Sequence, residues 1–229
     1  MLLNDRKLLR LHIEAVWDIH LPPITQNSVD VLANSNQPPW LLYVAQMANE
    51  RIYIWHSNTD NTLRQTLQKR MEDVLTQPVE TSIHGIGREI AFSFTGEARM
   101  TFAQAQQLAR PITPHEQTLV EAWQAGAAQY FFTPERGPLF GTIRDGRLLS
   151  IAHSARRTTE ACELGIETQP EARHRGYALA ATILWTHEIL REGLVPIYSA
   201  LAENSASRAL AEAAGYRVFA RGINIANLP

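Results

Sequence analysis

The stretch Glu163-Leu-Gly-Ile-Glu-Thr-Gln-Pro-Glu-Ala-Arg-His-Arg-Gly-Tyr-Ala178 decides the fold of this chain. It predicts a strand that runs into a short basic turn and then into a long helix; the turn is Arg173-His174-Arg175-Gly176-Tyr177-Ala178. The first N–H groups of a helix have no partner within it, and the helix dipole makes this end partly positive. Small residues let an anion approach the backbone, and two arginines add charge. The turn therefore predicts a cradle for a diphosphate.

The sequence beyond this helix supplies two further motifs. Pro196-Ile-Tyr-Ser-Ala-Leu201 predicts a strand, and Asn204 caps a helix that ends just before Gly215. Together with Asn204-x-x-Ser207 and Ala214-Gly215-Tyr216, the form Arg-x-x-Gly-x-Ala of the turn resembles the signature of the GNAT superfamily of acyl-CoA-dependent N-acyltransferases. The resemblance implies an α/β fold, in the α+β sense, with a mixed, mostly antiparallel sheet flanked by helices.

Composition indicates an ordinary globular protein. The 229 residues are 45% hydrophobic and 19% charged, and the net charge of −2 gives no electrostatic footprint for nucleic acid. No apolar run approaches the ~18 residues that span a bilayer, and the N-terminus lacks the uninterrupted apolar core of a signal peptide. A single cysteine, Cys162, excludes an internal disulfide. We therefore expect a cytoplasmic protein that binds neither nucleic acid nor membrane.

The N-terminal half contains no recognisable chemical motif. Apolar residues at helical spacing predict a first helix that ends before Pro22-Pro23. Two β-rich runs, Trp40-Leu-Leu-Tyr-Val-Ala45 and Arg51-Ile-Tyr-Ile-Trp-His56, predict a hairpin, and Asp60 predicts the cap of a helix. We place a domain boundary near Arg110, with a smaller α/β domain at 1–110 and the GNAT-like domain at 111–229. The first domain is compatible with a degenerate copy of the same fold.

The second half contains clear helix-capping and turn motifs. Thr113-Pro114-His115-Glu116 has the form of a capping box, and Asp145-Gly146 predicts a hairpin turn. A strand follows over about 160–168, and the helix after the cradle ends at Gly193. This helix is predicted to bury one face: Ala180, Ile183, Leu184 and Leu190.

The resemblance implies which residues bind acetyl-CoA, the acyl donor. In the family the strand before the cradle separates from its neighbour, and its free backbone groups pair with pantetheine like an added strand. Ile166, Glu167 and Thr168 occupy that place. The diphosphate would contact the cradle, and Asn204 and Ser207 would face the pantetheine arm. Asn204 is also expected to be a plain helix cap.

The acid and base are less clear from the motifs. Many relatives carry a tyrosine in a Leu-Tyr-Glu context of the last core helix, but this chain has Leu210-Ala211-Glu212, and Ser199 replaces another family glutamate. Glu163 and Glu167, on the strand that enters the predicted cofactor site, are the candidate catalytic carboxylates. A partly buried carboxylate there could take a proton from an ammonium, or either residue could be structural. His153 is a further candidate base, although a lone histidine is more often structural.

Three other readings fail on their residues. A dinucleotide loop needs Gly-x-Gly-x-x-Gly, but the turn has one glycine, Gly176. His187-Glu188 begins a zinc-protease pattern, but Arg191 stands where the second histidine belongs, so we expect no metal site. A catalytic thiol fails as well, because Cys162 has no nearby motif for one. It lies in an apolar strand and is expected to be a small core residue.

Two functions follow as hypotheses, and transfer to a hydroxyl instead of an amine is a further option for the first. The first is an N-acetyltransferase that transfers an acetyl or short acyl group from acetyl-CoA to a primary amine, by direct attack in a ternary complex. The second is a non-catalytic acyl-CoA-binding sensor or scaffold, which the missing tyrosine favours. The acceptor, a small molecule or a peptide, cannot be identified from the sequence, and a homodimer stays open.

Overall fold

The computed structural model describes residues 4–78, 81 and 83–226. Its helices and strands are, in chain order, α1 (Asp5–Trp17), β1 (Ser28–Asp30), β2 (Leu42–Gln46), β3 (Arg51–Trp55), α2 (Asn61–Leu75), β4 (Ile86–Phe94), α3 (Phe102–Leu108), β5 (Arg110–Pro111), α4 (Gln117–Trp123), α5 (Ala127–Phe131), β6 (Phe140–Arg144), β7 (Arg147–Arg157), β8 (Ala161–Thr168), α6 (Tyr177–Arg191), β9 (Val195–Leu201), α7 (Ser205–Ala213) and β10 (Tyr216–Ile225). This mixed, mostly antiparallel α/β arrangement confirms the predicted fold class. Within the described part of the chain, no helix combines the length and hydropathy needed to cross a membrane.

Backbone contacts divide the chain into two compact units. The first contains the chain up to Ser93, then Ser199–Arg208 and the chain from Val218 onward. The second contains Phe94–Tyr198 and Ala209–Arg217. The domain boundary that we predict near Arg110 thus falls inside the second unit. The division into two domains there stays a prediction, because a compact unit and an independent domain are different properties.

The first unit is built around the predicted hairpin. Strands β2 and β3 pair antiparallel, with Leu42 opposite Trp55, which confirms the hairpin. β1 pairs parallel with β3, and the C-terminal part of β10 pairs antiparallel with β2, placing Ile225 opposite Leu42. On the other side of β10 lies β4.

Helices α1 and α2 cover opposite faces of these strands. Successive side chains of a strand point to opposite faces, and β2 contributes Tyr43 and Ala45 to one core and Leu42 and Val44 to the other. The first core holds residues of α1 and the second holds residues of α2. As predicted, the Asp60 side chain caps α2 by accepting from Leu63 N at 2.8 Å.

Helix α1 has defined ends. Its cap is Asn4, whose side chain accepts a hydrogen bond from Lys7 N at 2.8 Å. It ends at Asp18, which has a left-handed backbone (φ +52°), before the proline pair is reached. The left-handed residue, rather than proline, therefore terminates the helix.

The second unit has the strand order β9-β8-β7-β6-β5. β6 and β7 form the predicted hairpin, whose turn residues Asp145 and Gly146 have φ of +50° and +69°. Two consecutive positive φ values are typical of the type I′ turn, which matches the twist of paired strands. β7 pairs antiparallel with β8, and its register shifts between Ser154 and Arg156, so β7 carries an extra residue there. The predicted order from β6 to β10 is confirmed.

Helix α6 packs against β7 and β8. Its buried residues include Ala180, Ile183 and Leu184, as predicted. Leu190, however, is 43% exposed, so this part of the prediction is wrong. Because 3.6 residues complete a turn, Ile189 occupies the inward position in the last turn and is fully buried.

Gly165 on β8 leaves space for an aromatic ring. It is the register partner of His153 on β7. A Cβ atom at Gly165 would lie 2.9 Å from His153 Nδ1 and closer still to two other ring atoms. The His153 ring therefore lies over the backbone of β8, where only glycine permits it.

Gly165→Ala is expected to lower the free energy of unfolding by about 1–3 kcal/mol, because the new methyl group overlaps the His153 ring. His153→Ala in the same chain should remove most of this cost. Urea unfolding of both single variants and the double variant gives the coupling energy. Strictly additive costs would contradict this packing.

Candidate acyl-CoA site

The cradle forms the entry to α6. Gly176 is the cap residue, with φ +80° and ψ 0°, and Ala180 N donates the first helical hydrogen bond to Gly176 O at 2.9 Å. A left-handed backbone here favours glycine, since a side chain would be strained. In the described part of the chain no side chain caps this end, and the first turn contains no acidic residue. The first N–H groups of the helix are therefore suited to an anion.

Side chains of the cradle are exposed to different degrees. Arg173, His174 and Arg175 are exposed, while Tyr177 and Ala178 are half-buried. His174 has a positive φ of +60°, which histidine adopts more readily than most residues. The two arginine side chains can therefore move onto a bound diphosphate without breaking buried contacts.

Strand β8 leaves one edge open before the cradle. On the side of β9 its parallel pairing runs from Ala161–Val195 to Glu163–Ile197. On the side of β7 the pairing continues to Thr168. Among the described residues, the segment 164–168 pairs with β7 alone, so its other edge can pair with an extended ligand.

The predicted pantetheine residues Ile166 and Thr168 lie on this segment, and both are half-buried. The Thr168 hydroxyl is hydrogen-bonded to the Ser150 hydroxyl at 2.8 Å. Ser150 Oγ also donates to Glu167 O at 3.0 Å. These bonds fix β8 to β7, so ligand contact would come from the backbone of β8 on its free edge.

Asn204 and Ser207 stand at the start of α7. Asn204 Oδ1 accepts from Ser207 N at 3.0 Å, so the predicted helix cap is confirmed. Both residues belong to the first compact unit, whereas 166–178 belong to the second. Asn204 is exposed and Ser207 half-buried. Their contact with a cofactor stays a prediction.

The two candidate catalytic carboxylates, Glu163 and Glu167, differ in environment. The extra residue of the bulge lies on β7, so β8 keeps a regular alternation and Glu163 and Glu167 share a face. Glu163 is 3% exposed, and its carboxylate accepts from Arg156 Nη1 at 2.6 Å. Glu167 is exposed. The sequence reasoning did not include Arg156, because its contact with Glu163 depends on strand register.

His153 is enclosed by aromatic rings. The rings of Tyr130 and Phe131 lie edge-on at 5.8 and 5.0 Å between centroids. Burial, and then the charge of Arg136, lowers its pKa to about 4, so the imidazole is neutral at pH 7. Its Nδ1 is buried and has no hydrogen-bond partner among the described residues. These neighbours come from α5 and the turn after it, for which the sequence provided no signal.

The remaining chemical candidates have structural roles. Cys162 is buried, which raises the pKa of its thiol to about 11 and keeps it protonated. His187 packs on the ring of Phe102 with centroids 4.6 Å apart. Among residues 4–78, 81 and 83–226, no cluster of three or more histidine, cysteine, aspartate or glutamate side chains could hold a metal ion.

The pKa of His153 predicts a pH-dependent stability. The unfolded chain binds a proton at His153 near pH 6.5, but the folded chain does so only near pH 4. The contribution of His153 to the free energy of unfolding is therefore complete above pH 6.5. As the pH falls towards 4, this contribution decreases by about 3 kcal/mol. Urea unfolding between pH 7.5 and 4 should show a shallower loss in His153→Asn. Equal pH slopes in both proteins would refute it.

A comparison with protein-family models identifies a matching family. The family model described as GNAT acetyltransferase matches residues 58–220. No curated protein matches the chain.

Solved structures resemble the chain at low identity. A GNAT-family protein from Novosphingobium aromaticivorans is 20% identical with a TM-score of 0.48, over 62% of this chain and 65% of that one. An acetyltransferase from Colwellia psychrerythraea is 17% identical with a TM-score of 0.49, over 72% and 62%. A GCN5-related N-acetyltransferase from Sphaerobacter thermophilus is 16% identical with a TM-score of 0.49, over 80% and 75%. The chain thus spans just under two thirds of the length of the first two. On the family match, the chain belongs to the GNAT acetyltransferase family.

Proposed function

We propose that this protein is an N-acetyltransferase that transfers an acetyl or short acyl group from acetyl-CoA to a primary amine. The observation that carries the proposal is the open edge of β8 over 164–168, which leads directly into the uncapped N-terminus of α6. An extended pantetheine can pair with the strand while its diphosphate meets the helix end. Membership of the GNAT acetyltransferase family supports the same donor.

The proposed reaction is direct attack within a ternary complex. The acceptor amine, once neutral, attacks the thioester carbonyl, and a backbone N–H of the 166–168 segment stabilises the oxyanion. The tetrahedral intermediate then loses CoA as the C–S bond breaks, and the nitrogen gives up its second proton. Holding both substrates together makes the attack effectively unimolecular.

Glu163 and Glu167 stay our sequence-based proposals for the acid–base group. Glu167 is exposed and can meet a substrate or water directly. Glu163 is engaged by Arg156, so a proton could reach it only if that ion pair opens. Of the two, the environment of Glu167 is better suited to proton transfer.

The second candidate function is an acyl-CoA sensor or scaffold without turnover. It is favoured by Ala211, which occupies the position of the family tyrosine and is fully buried. A buried methyl group cannot protonate a leaving thiolate. This candidate requires the same cofactor site, so donor binding alone does not separate the two.

The setting of the proposed reaction is also inferred. The acceptor would be a small molecule or a peptide with a primary amine, and the protein would work in the cytoplasm, as a monomer or a homodimer. Neither nucleic acid nor membrane takes part in the proposal, and no metal is needed for direct acyl transfer.

Isothermal titration with acetyl-CoA tests the donor site. Combining Arg173→Glu with Gly176→Asp places two negative charges at the helix end, so binding should weaken at least tenfold, or about 1.4 kcal/mol. Arg144→Glu, which repeats the arginine-to-glutamate substitution on the β6–β7 hairpin, is the control and should bind normally. If the folded parent binds no acetyl-CoA, the acyltransferase proposal fails.

A thiol-release assay with a panel of primary amines then separates enzyme from sensor. Turnover that falls at least tenfold in Glu167→Gln, with acetyl-CoA affinity unchanged, would support the enzyme and this residue. A protein that binds acetyl-CoA but releases no thiol with any amine would support the sensor.

A further inference from the structure

A cavity of about 560 Å³ lies between α3, the β5–β6 edge of the sheet and the second half of α6. Every residue that lines it belongs to the second unit. His187, in its wall, lies roughly 15 Å along the helix axis from Tyr177 in the proposed cradle, at the rise of an α-helix. The volume is within the range of small-molecule sites. The cavity is thus separate from the residues that we propose to bind acetyl-CoA.

Aromatic and apolar side chains form most of the wall. Phe102 on α3 is 40% exposed, and Phe140 on β6 is half-buried. The His187 ring packs on Phe102 with centroids 4.6 Å apart. Leu184 is one turn earlier on α6, on the same side of the helix, and is buried. An aromatic ligand would cover these partly exposed rings, and contacts between rings add to the gain from burial.

Arg110 provides a polar group at this apolar wall. Its Nη1 donates to Glu116 Oε1 at 2.9 Å and to Pro111 O at 3.2 Å, which holds the guanidinium group in place. Within the part of the chain that the structure describes, its Nε and Nη2 atoms have no hydrogen-bond partner. The N–H groups of Nε and Nη2 lie side by side and match the two oxygens of a carboxylate. Arg110 is therefore suited to bidentate binding of a carboxylate.

The neighbouring charges leave this side of Arg110 available. Arg191 donates from Nε to Glu188 Oε2 at 2.9 Å and from Nη2 to Glu188 Oε1, so these two residues satisfy each other. Glu116, which holds Arg110 through Oε1, accepts on Oε2 from Thr113 N and Thr113 Oγ1, both at 2.8 Å. The charged residues that line the cavity are two arginines and one glutamate, so its wall carries a net positive charge.

We propose that this cavity binds a small aromatic carboxylate, with its ring against Phe102 and Phe140 and its two oxygens on Nε and Nη2 of Arg110. An aliphatic acid would satisfy the guanidinium group without the contacts between rings. A neutral aromatic molecule would make those contacts and leave the guanidinium group to water. The ligand class thus follows from the two features together. The inference goes beyond the proposed acetyl transfer, with which it shares no residue.

The test is an NMR titration of the His187 ring signals with sodium benzoate, at fixed pH and at ionic strength matched with sodium chloride. Benzoate should cause a saturable shift with a Kd in the millimolar range, as expected for so small a ligand. Benzamide has the ring without the charge, and sodium acetate has the charge without the ring. Each should bind at least fivefold more weakly. No saturable shift with benzoate, or equal affinity for either control, would overturn the inference.

Two variants with matched controls locate the site. Arg110→Gln should raise the benzoate Kd at least fivefold, while Arg147→Gln, which removes a comparably exposed and ion-paired arginine from β7, should not. Phe102→Ala should also raise it, while Tyr130→Ala, which removes an aromatic ring that is 44% exposed on α5, should not. An unchanged Kd in Arg110→Gln would overturn the inference. If a variant does not fold, the comparison of the three probes on the parent protein still decides.

The proposed cradle also contains arginines, so one more variant separates the two sites. Combining Arg173→Glu with Gly176→Asp should leave the benzoate Kd unchanged, and Arg110→Gln should leave the acetyl-CoA Kd unchanged. A benzoate Kd that rises in the cradle variant but not in Arg110→Gln would overturn the inference. Since the benzoate titration uses no acetyl-CoA, its failure and the failure of the proposed function are distinguishable.

Discussion

The pairing between β8 and β9 ends after three residues, and the proposed cofactor site depends on this ending. Parallel strands normally satisfy each other's backbone groups along their length. Beyond Glu163, β8 pairs with β7 but with no second strand among the residues that the structure describes. Its free N–H and C=O groups must meet water or a ligand, because unsatisfied backbone groups are costly. In the proposed complex, an exposed edge that would be a liability in another protein would serve to bind the cofactor.

The open edge of β8 can serve as the proposed ligand-binding edge because its other edge is fixed to β7. The hydroxyl pair of Ser150 and Thr168 ties the last residues of β8 to β7. Farther back, the His153 ring covers Gly165, and the bulge beside Ser154 adjusts the register without disturbing the alternation of β8. A strand fixed in this way keeps its free groups in position before a ligand arrives, so little ordering entropy is lost on binding.

Local signals in the sequence predicted much of the fold. Asp60 and Asn204 cap their helices as expected, since side-chain caps depend on residues only three positions apart. The turn at Asp145-Gly146 likewise carries its own backbone preference. Leu190 was misplaced because spacing alone does not fix which side of a last helical turn faces the core.

The parts that escaped prediction depend on contacts between distant residues. The ion pair of Glu163 with Arg156 follows from register, and the ring cage of His153 follows from how α5 packs. In the first unit, Glu89 on β4 accepts a hydrogen bond from Tyr43 Oη on β2 and lies 2.9 Å from His12 Nε2 on α1, so this cluster joins three distant elements. No sequence motif joins three such positions, so this cluster could not be predicted. The turn that we propose binds the cofactor could be recognised because its motif lies within six consecutive residues, Arg173 to Ala178.

The pairing of β10 with β2 has a consequence for how the chain folds during synthesis. Leu42 finds its partner only when Ile225 leaves the ribosome, so one side of β2 stays unpaired through most of translation. Closing so long a loop is slow, and an unpaired strand edge invites association with other chains. The first half of this protein would therefore benefit from chaperone protection until its last strand arrives.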